Sequence, residues 1–547
     1  MNAKQLREQA DELFSKRSSL MLLWQEIAEN FYPERADFTV RRTMGTEFAS
    51  NLMTSYPMLN RRELGDQIGS MLRPTNKEWK KMVVRDLRND DHDARSWLEW
   101  ANATMRRAMY DPQAQFTRAT KEGDHDFACF GQNVISIEIN RHFSALLYRC
   151  WHLRDVVWME NQDGAVCFVA RRWKPACKDL CALFPGKVDP KVEEMKRKHP
   201  FKEVEVLHMV VEEEMYDDKA GGRPRWSIYY DCEHNKVIEA TPIHGRIYVI
   251  PRWQTVSGSQ YAFSPATIAA LPDARLLQAM SLTLLEAGEK IVNPPMIATI
   301  DAVKSDMSIH AGGVTWVDRE YDEKMGEALR PMTIDAKGIP LSHEMMRDTR
   351  AMLMQAFYLN KLTMPQRGPE MTAYEVGQRV QEYIRGALPL FEPMEMSYNG
   401  GLCDETFDVL MRAGTFGSPL DMPRSLSDVD VTFQFESPLH DAIEQQKGTK
   451  FLEMKQILTE AMAIDKNVAA IPDATKALRD TLHAIGVPMT WTRSESQVRA
   501  IIEKADEDAQ SLTDLSQLKE GAEAVAKLGS AQRDIAVANQ TQSATPV

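Results

Sequence analysis

Two apolar helical stretches dominate the middle of the chain, between Phe263 and Thr372, and their proline and glycine punctuation leaves few ways to fold them. Ser264-Pro265 and Leu271-Pro272-Asp273 open the first arm, because proline is tolerated only in a helix's first turn. The arm then runs to about Val292, with Leu276, Met280, Leu284, Ala287 and Ile291 recurring at helical spacing. Leu277, Leu282 and Leu285 widen the stripe until mainly Arg275, Gln278, Ser281, Glu286, Glu289 and Lys290 remain as a polar face. A helix this apolar needs neighbours on more than one side. The four charges interrupt the run, so other protein rather than lipid is the expected cover.

The second arm, about Leu341 to Leu359, follows Gly338-Ile339-Pro340 and sets Leu341, Met345, Thr349, Met352 and Ala356 on one side. Between the arms, Asn293-Pro294-Pro295 stops the first helix, and Met296–Ile300 and Gly313–Val317 read as short strands of a small α/β insert. After the second arm, the prolines and glycine of 359–371 forbid a continuous helix, and Thr372-Ala373-Tyr374-Glu375 has the spacing of a capping box that starts a new one. A loop is thereby pinned between two helices.

Around this hairpin the chain reads as α+β and mostly helical. Ala3–Phe31 reads as one amphipathic helix ended by Pro33, Leu64–Leu72 as a second, and a third begins near Asp93. From Gly131 the period shortens: Val134–Ile139, the hairpin Val156–Glu160 and Val166–Arg171 about Asp163-Gly164, then Val204–Val211, Trp226–Tyr230, Val237–Glu239 and Ile247–Val249 read as strands. After Ser437-Pro438 the pattern turns almost wholly helical, and 529–547 is polar and Ala/Gln/Thr-rich.

At 547 residues the chain exceeds what one core usually serves. Its net charge of −13 offers no general basic surface to nucleic acid, so any such contact must be local. Seven scattered cysteines point to reduced thiols, and Cys177 and Cys181 have no second pair at zinc spacing, so no metal site is expected. No signal peptide or membrane span is expected either.

Enzyme motifs fail one by one. Gly186-Lys187 is followed by Val188 rather than Ser or Thr, which removes a phosphate-cradling loop. His343-Glu344-Met345-Met346-Arg347 puts Arg347 where the second zinc ligand would stand. Gly258-Ser259 lacks the spacing of a nucleophile elbow. Asp124-His125-Asp126 and Asp90–Asp93 read as helix-start or surface charge. No catalytic residue and no cofactor is expected.

The order of these pieces resembles the head-to-tail connecting (portal) proteins of short-tailed, T7-like bacteriophages. The resemblance rests on Leu72-Arg73-Pro74 with Trp79, on Phe116, Glu122 and Phe130-Gly131, and on Asp163-Gly164 leading to Arg171-Arg172-Trp173. It continues in Ser264-Pro265, Leu271-Pro272-Asp273, Pro294-Pro295 and Met371–Val376, then Arg412-Ala413-Gly414, Phe435–Leu439, Gly486-Val487-Pro488 and Arg493-Ser494. Pro389 and Pro393 depart from it, falling where the family builds a long helix.

The resemblance implies a structural ring, usually of twelve subunits, at one capsid vertex of a virion assembled in the host cytoplasm. Double-stranded DNA would pass through it non-specifically during packaging and ejection. Its partners would be the major capsid protein, scaffold, terminase and tail adaptors, with no membrane. By the same resemblance 1–262 and 373–437 form a wing, 263–292 and 341–358 the stem helices, 293–340 a clip, 359–372 a tunnel loop and 438–528 a crown, while the composition of 529–547 is that of a disordered tail. Leu276, Met280, Leu284, Ile291, Met345 and Met352 would then pack the stem between copies, and Lys361 and Arg367 would touch DNA phosphates. Another ring-forming virion or tail protein is the nearest alternative; an unrecognised soluble hydrolase or transferase, which a stable monomer would favour, is the alternative from a different class.

Overall fold

The computed structural model describes residues 1–43, 45, 52–75, 77–84, 92–142, 144–218, 221–298, 329–331, 338–362, 386, 394–417, 422–426 and 431–435, with isolated pieces between 454 and 527. Two compact units emerge. The first holds 1–85, 100–421 and 430–441; the second holds 86–99, 422–429 and 442–547. In the second, the described pieces are 92–99, 422–426 and short helical stretches such as 454–458 and 501–504.

The first unit is mixed helix and strand. It begins with helices α1 (Ala3–Lys16), α2 (Ser18–Phe31) and α3 (Tyr56–Leu72), strand β1 (Lys80–Val84), helix α4 (His92–Met109), of which 92–99 count to the second unit, and helix α5 (Phe116–Phe130). Strands β2 (Ile135–Ile139), β3 (Leu146–Cys150), β4 (Val156–Glu160) and β5 (Val166–Trp173) follow, then helices α6 (Cys177–Leu183) and α7 (Pro190–Lys198). Next come β6 (Val206–Glu212), β7 (Arg225–Asp231), β8 (Lys236–Ile243), β9 (Tyr248–Val249), β10 (Gln254–Thr255) and β11 (Ala262–Phe263).

Strands β4-β5-β6-β7-β8 make one antiparallel sheet and β3-β2-β9 another. The expected β4–β5 hairpin is present. Gly164 takes a left-handed φ of 74° that a side chain would resist, and the Asn161 carboxamide oxygen accepts from the Asp163 and Ala165 amides at 3.0 Å.

On one face of the larger sheet, Leu6, Ala10 and Leu13 of α1 meet Val157, Phe168, Ala170, Leu207, Met209 and Ile228. Each fully buried leucine contributes roughly 1.5–3 kcal/mol. The sequence pattern suggests a single helix from Ala3 to Phe31, but the helix breaks at Arg17. The guanidinium there is buried and donates to the carbonyls of Leu153 and Val156 at 2.7 Å each, and to that of Arg154. Turning the chain aside lets one arginine saturate three carbonyls, which outweighs an uninterrupted apolar stripe.

The other face carries a polar cross-strand row, Arg171, His208 and Tyr229, on adjacent strands. Arg171 donates to the Tyr248 hydroxyl oxygen at 2.7 Å, so that hydroxyl's own proton points to His208 Nδ1, 2.6 Å away, and His208 Nε2–H is left to donate to Ser227 at 2.9 Å. Burial, helped by Arg171, pulls this imidazole well below its usual pKa. A folded pKa below the unfolded one means that only the unfolded chain takes up the proton, so stability falls as pH drops below about 6.5. Urea midpoints between pH 7.5 and 5.5 are expected to show a loss of about 1 kcal/mol that His208→Gln lacks.

Helix α5 lies at the centre. Asp124-His125-Asp126, read from sequence as helix-start or surface charge, is instead interior. Asp124 pairs with Arg73, Asp126 accepts from Nε and Nη2 of Arg35 at 3.0 and 2.9 Å, and His125 Nδ1 faces Arg61 at 3.1 Å. Arg73 also donates to Asn399 at 2.7 Å and lies 4.5 Å from the centre of the Tyr398 ring. Both residues belong to a π-helical turn, Glu395–Gly400, that runs into helix α11 (Gly401–Arg412); Pro389 and Pro393 themselves lie outside the described residues. Strand β14 (Val431–Phe435) closes the unit by pairing with β1, Lys80 opposite Phe435.

Candidate functional site

The hairpin is built from helix α8 (Pro265–Val292), strands β12 (Met296–Ala298) and β13 (Leu329–Pro331), and helices α9 (Gly338–Ala356) and α10 (Leu359–Leu362). Its base is fastened to the end of α5. Ser264 caps α8, its hydroxyl donating to the Ala128 carbonyl at 2.7 Å, while Thr267 donates to the Cys129 carbonyl at the same distance. Gly131 ends α5 at φ 74°, and a Cβ there would lie 2.1 Å from the Phe263 carbonyl carbon. Only glycine allows α8 to leave from this point.

Pro265 sits in the first turn as expected, but Pro272 lies inside the helix rather than at its start. Its ring stands on the exposed side, where the lost backbone hydrogen bond is open to water.

Along α8 the burial is one-sided in length as well as in face. Ala266, Ala270, Leu271, Ala274 and Leu277 are buried, and the buried set ends there. Beyond, Leu282, Leu285, Ile291 and Val292 are 40, 57, 39 and 86 % exposed. On α9, Met346, Thr349 and Leu353 are buried, with Phe357 just past its end, whereas Leu341, Met345, Met352 and Met354 are 61, 49, 48 and 41 % exposed. Of the six residues singled out from sequence, Leu276 (45 %), Ile291, Met345 and Met352 are therefore open, while Met280 and Leu284 are half-buried.

An open groove of about 850 Å³ lies toward the far end of α8, lined by Leu284, Leu285, Gly288, Val292 and Met346 among others. So many exposed large apolar side chains on one hairpin mark an interaction surface.

Polar contacts steady the half nearer the base. Arg275 Nε donates to Glu26 at 2.6 Å, and the Gln278 carboxamide oxygen accepts from the Met53 and Thr54 amides at 2.7 and 3.0 Å. By length and hydropathy α8 could cross a membrane. Its first half is nevertheless committed to protein, through α2 and α5, which fits association with protein better than with lipid.

The helical part of the loop that follows reaches Leu362; Arg367, the Lys361 side chain, the Gly313–Val317 strand and nearly all of 373–393 lie outside the described residues. His343 and Glu344 are exposed while Met346 is buried, and Cys177 and Cys181 are both buried in α6. Among the described residues no three His, Cys, Asp or Glu side chains gather as a metal site.

Sequence comparison agrees with the early reading. Residues 3–491 match the family model described as "Bacteriophage head to tail connecting protein". The chain is 24 % identical over 533 residues to the "Probable portal protein" of Bordetella phage BPP-1, covering 95 % of this chain and 94 % of that one. It is 22 % identical over 299 residues to the "Portal protein" of Salmonella phage epsilon15, covering 53 % and 51 %. Among solved structures, a chain from "Virion of native gene transfer agent (GTA) particle" aligns at 9 % identity with a TM-score of 0.34, over 83 % of this chain and 98 % of that one.

Proposed function

This chain belongs to the bacteriophage head to tail connecting protein family, and on that premise we propose that its copies close into a ring at one capsid vertex through which double-stranded DNA enters and leaves. The observation that carries this is the hairpin, welded to the body at its base and with many of its large apolar side chains exposed along its far half. A face of that kind is unstable in water, and copies set about an axis supply the missing neighbours.

In this reading 1–262 and 373–437 form the wing, 263–292 and 341–358 the stem, 293–340 the clip, 359–372 the tunnel loop and 438–528 the crown. Residues 263–358 hold nine Lys/Arg against thirteen Asp/Glu. A bore with that balance repels phosphate, so DNA slides rather than sticks. Lys361 and Arg367 supply the few compensating cations of the tunnel loop and meet backbone phosphates without reading bases. The family and its named relatives are structural connectors, so the chain acts as a conduit and a platform, first for capsid protein, scaffold and terminase and then for tail adaptors.

Electron microscopy with native mass spectrometry tests this. Closed rings with a central opening are expected, their mass a multiple of 62.3 kDa. A chain that stays at 62.3 kDa would refute the ring. Lys361→Ala with Arg367→Ala is expected to keep the ring mass and change DNA retention; unchanged genome filling removes the loop contact.

A further inference from the structure

Between β5 and β6 the chain folds a small lobe with its own core. Helices α6 and α7 enclose Cys177, Leu180, Phe184, Val188 and Val192, and the Cys177 and Val204 amides close the lobe on the Lys202 and Pro175 carbonyls at 2.8 and 3.0 Å. Its outside runs against the charge of the whole. Residues 174–203 carry eight Lys/Arg against five Asp/Glu, in a chain whose net charge is −13.

Lys196, Arg197 and Lys198 fill the last turn of α7, and Phe201, three residues on, is 77 % exposed. The Lys178 ammonium stands 6.0 Å from the centre of the Phe201 ring. Lys196 and Arg197 enter no ion pair among the described residues. An aromatic left in water inside a cationic rim has the makeup of a binding hot spot: an apolar anchor with charges that choose the partner.

The complementary surface lies on the same sheet. Where β6 ends, Glu212, Glu213, Glu214, Asp217 and Asp218 put five carboxylates into seven residues with no Lys or Arg among them, and although Asp217 pairs with the Met1 ammonium at 2.8 Å the turn stays strongly acidic. Met215 and Tyr216 are half-buried between them. Strand β6 separates this turn from the lobe by its own seven residues, about 23 Å. Two unlike patches at opposite ends of one strand are what a head-to-tail contact requires, and such contacts close rings when the rotation between copies closes.

We propose that the Phe201-tipped basic lobe of one copy docks on the Glu212–Asp218 turn of the next. This rests on the ring reading above and assigns it a specific contact outside the hairpin. DNA suits the lobe less well. Five carboxylates are interleaved with its cations, and Glu194 already pairs with Lys198 at 2.7 Å, whereas phosphate binding gains from uninterrupted positive charge.

The test uses assembled full-length rings. With a benzophenone amino acid in place of Phe201, irradiation is expected to join the lobe to 212–218 of a neighbouring copy, as mapped by mass spectrometry. Intact rings whose adducts fall only elsewhere overturn the contact and leave the ring reading standing. Lys196→Glu with Arg197→Glu is expected to lower the assembled fraction at micromolar concentration by about tenfold, as is Glu213→Lys with Glu214→Lys. Circular dichroism should stay unchanged in both. All four substitutions together should restore assembly; a quadruple variant no better than the worse pair overturns the proposal. So does a Lys196/Arg197 variant with unaltered rings that has lost only DNA retention.

Discussion

Leu285→Asp combined with Met345→Asp is expected to leave a folded chain that no longer assembles. Both side chains are about half exposed, 57 and 49 %, so in a single copy the new carboxylates meet water and cost within about 0.5 kcal/mol. In a ring that covers this face, each copy would bury two unpaired carboxylates, at a cost of several kcal/mol apiece. A closed ring repeats that penalty at every interface, so the expected result is loss of the ring and not a graded weakening. Native mass spectrometry reads the assembly, and urea unfolding checks the single copy. Leu277→Asp is the contrast: that side chain is fully buried, so it should unfold the chain itself. Rings that survive the Leu285/Met345 pair would show that the hairpin's open face is not where copies meet.

The hairpin was legible because its information is local. Ser264-Pro265 at the start and a leucine spacing of three or four all sit within one stretch. The β4–β5 turn was legible for the same reason: Asn161, Asp163 and Gly164 make the reversal among themselves. What periodicity could not show is where a side chain finds its partner. Arg17 breaks the first helix for carbonyls 136 to 139 residues away, and Asp124 answers to an arginine 51 residues earlier in the chain. Helix α5 was not foreseen because its interior carries charges that resemble a surface until Arg35, Arg61 and Arg73 are brought to it. The open half of α8 was legible only as excess leucine. Which leucines remain uncovered depends on how far α2 and α5 reach along it.

Arg73→Met is expected to cost about 3–5 kcal/mol, because it strands Asp124 as a buried charge with no counterion. The arginine is fully enclosed, and it serves three groups at once: the Asp124 carboxylate, the Asn399 carboxamide oxygen at 2.7 Å and the face of the Tyr398 ring. Asn399 in turn donates to the Leu72 carbonyl at 3.1 Å, so α3, α5 and the π-helical turn lose their common tie together. Burial already pushes the Asp124 carboxyl above its usual pKa against the pull of Arg73. Without that pull the folded-state value rises further, the folded variant takes up a proton the unfolded chain does not, and its deficit should shrink as pH falls from 7 toward 5. Replacing both partners with apolar residues, Arg73→Met with Asp124→Leu, removes the stranded charge and should recover much of the loss, as buried pairs exchanged for hydrophobic ones commonly do. Urea midpoints of the three chains decide the matter. If the double variant is as weak as the single one at every pH, the tie is one of shape and not of charge, because only a stranded carboxylate can be rescued by a proton or by its own removal.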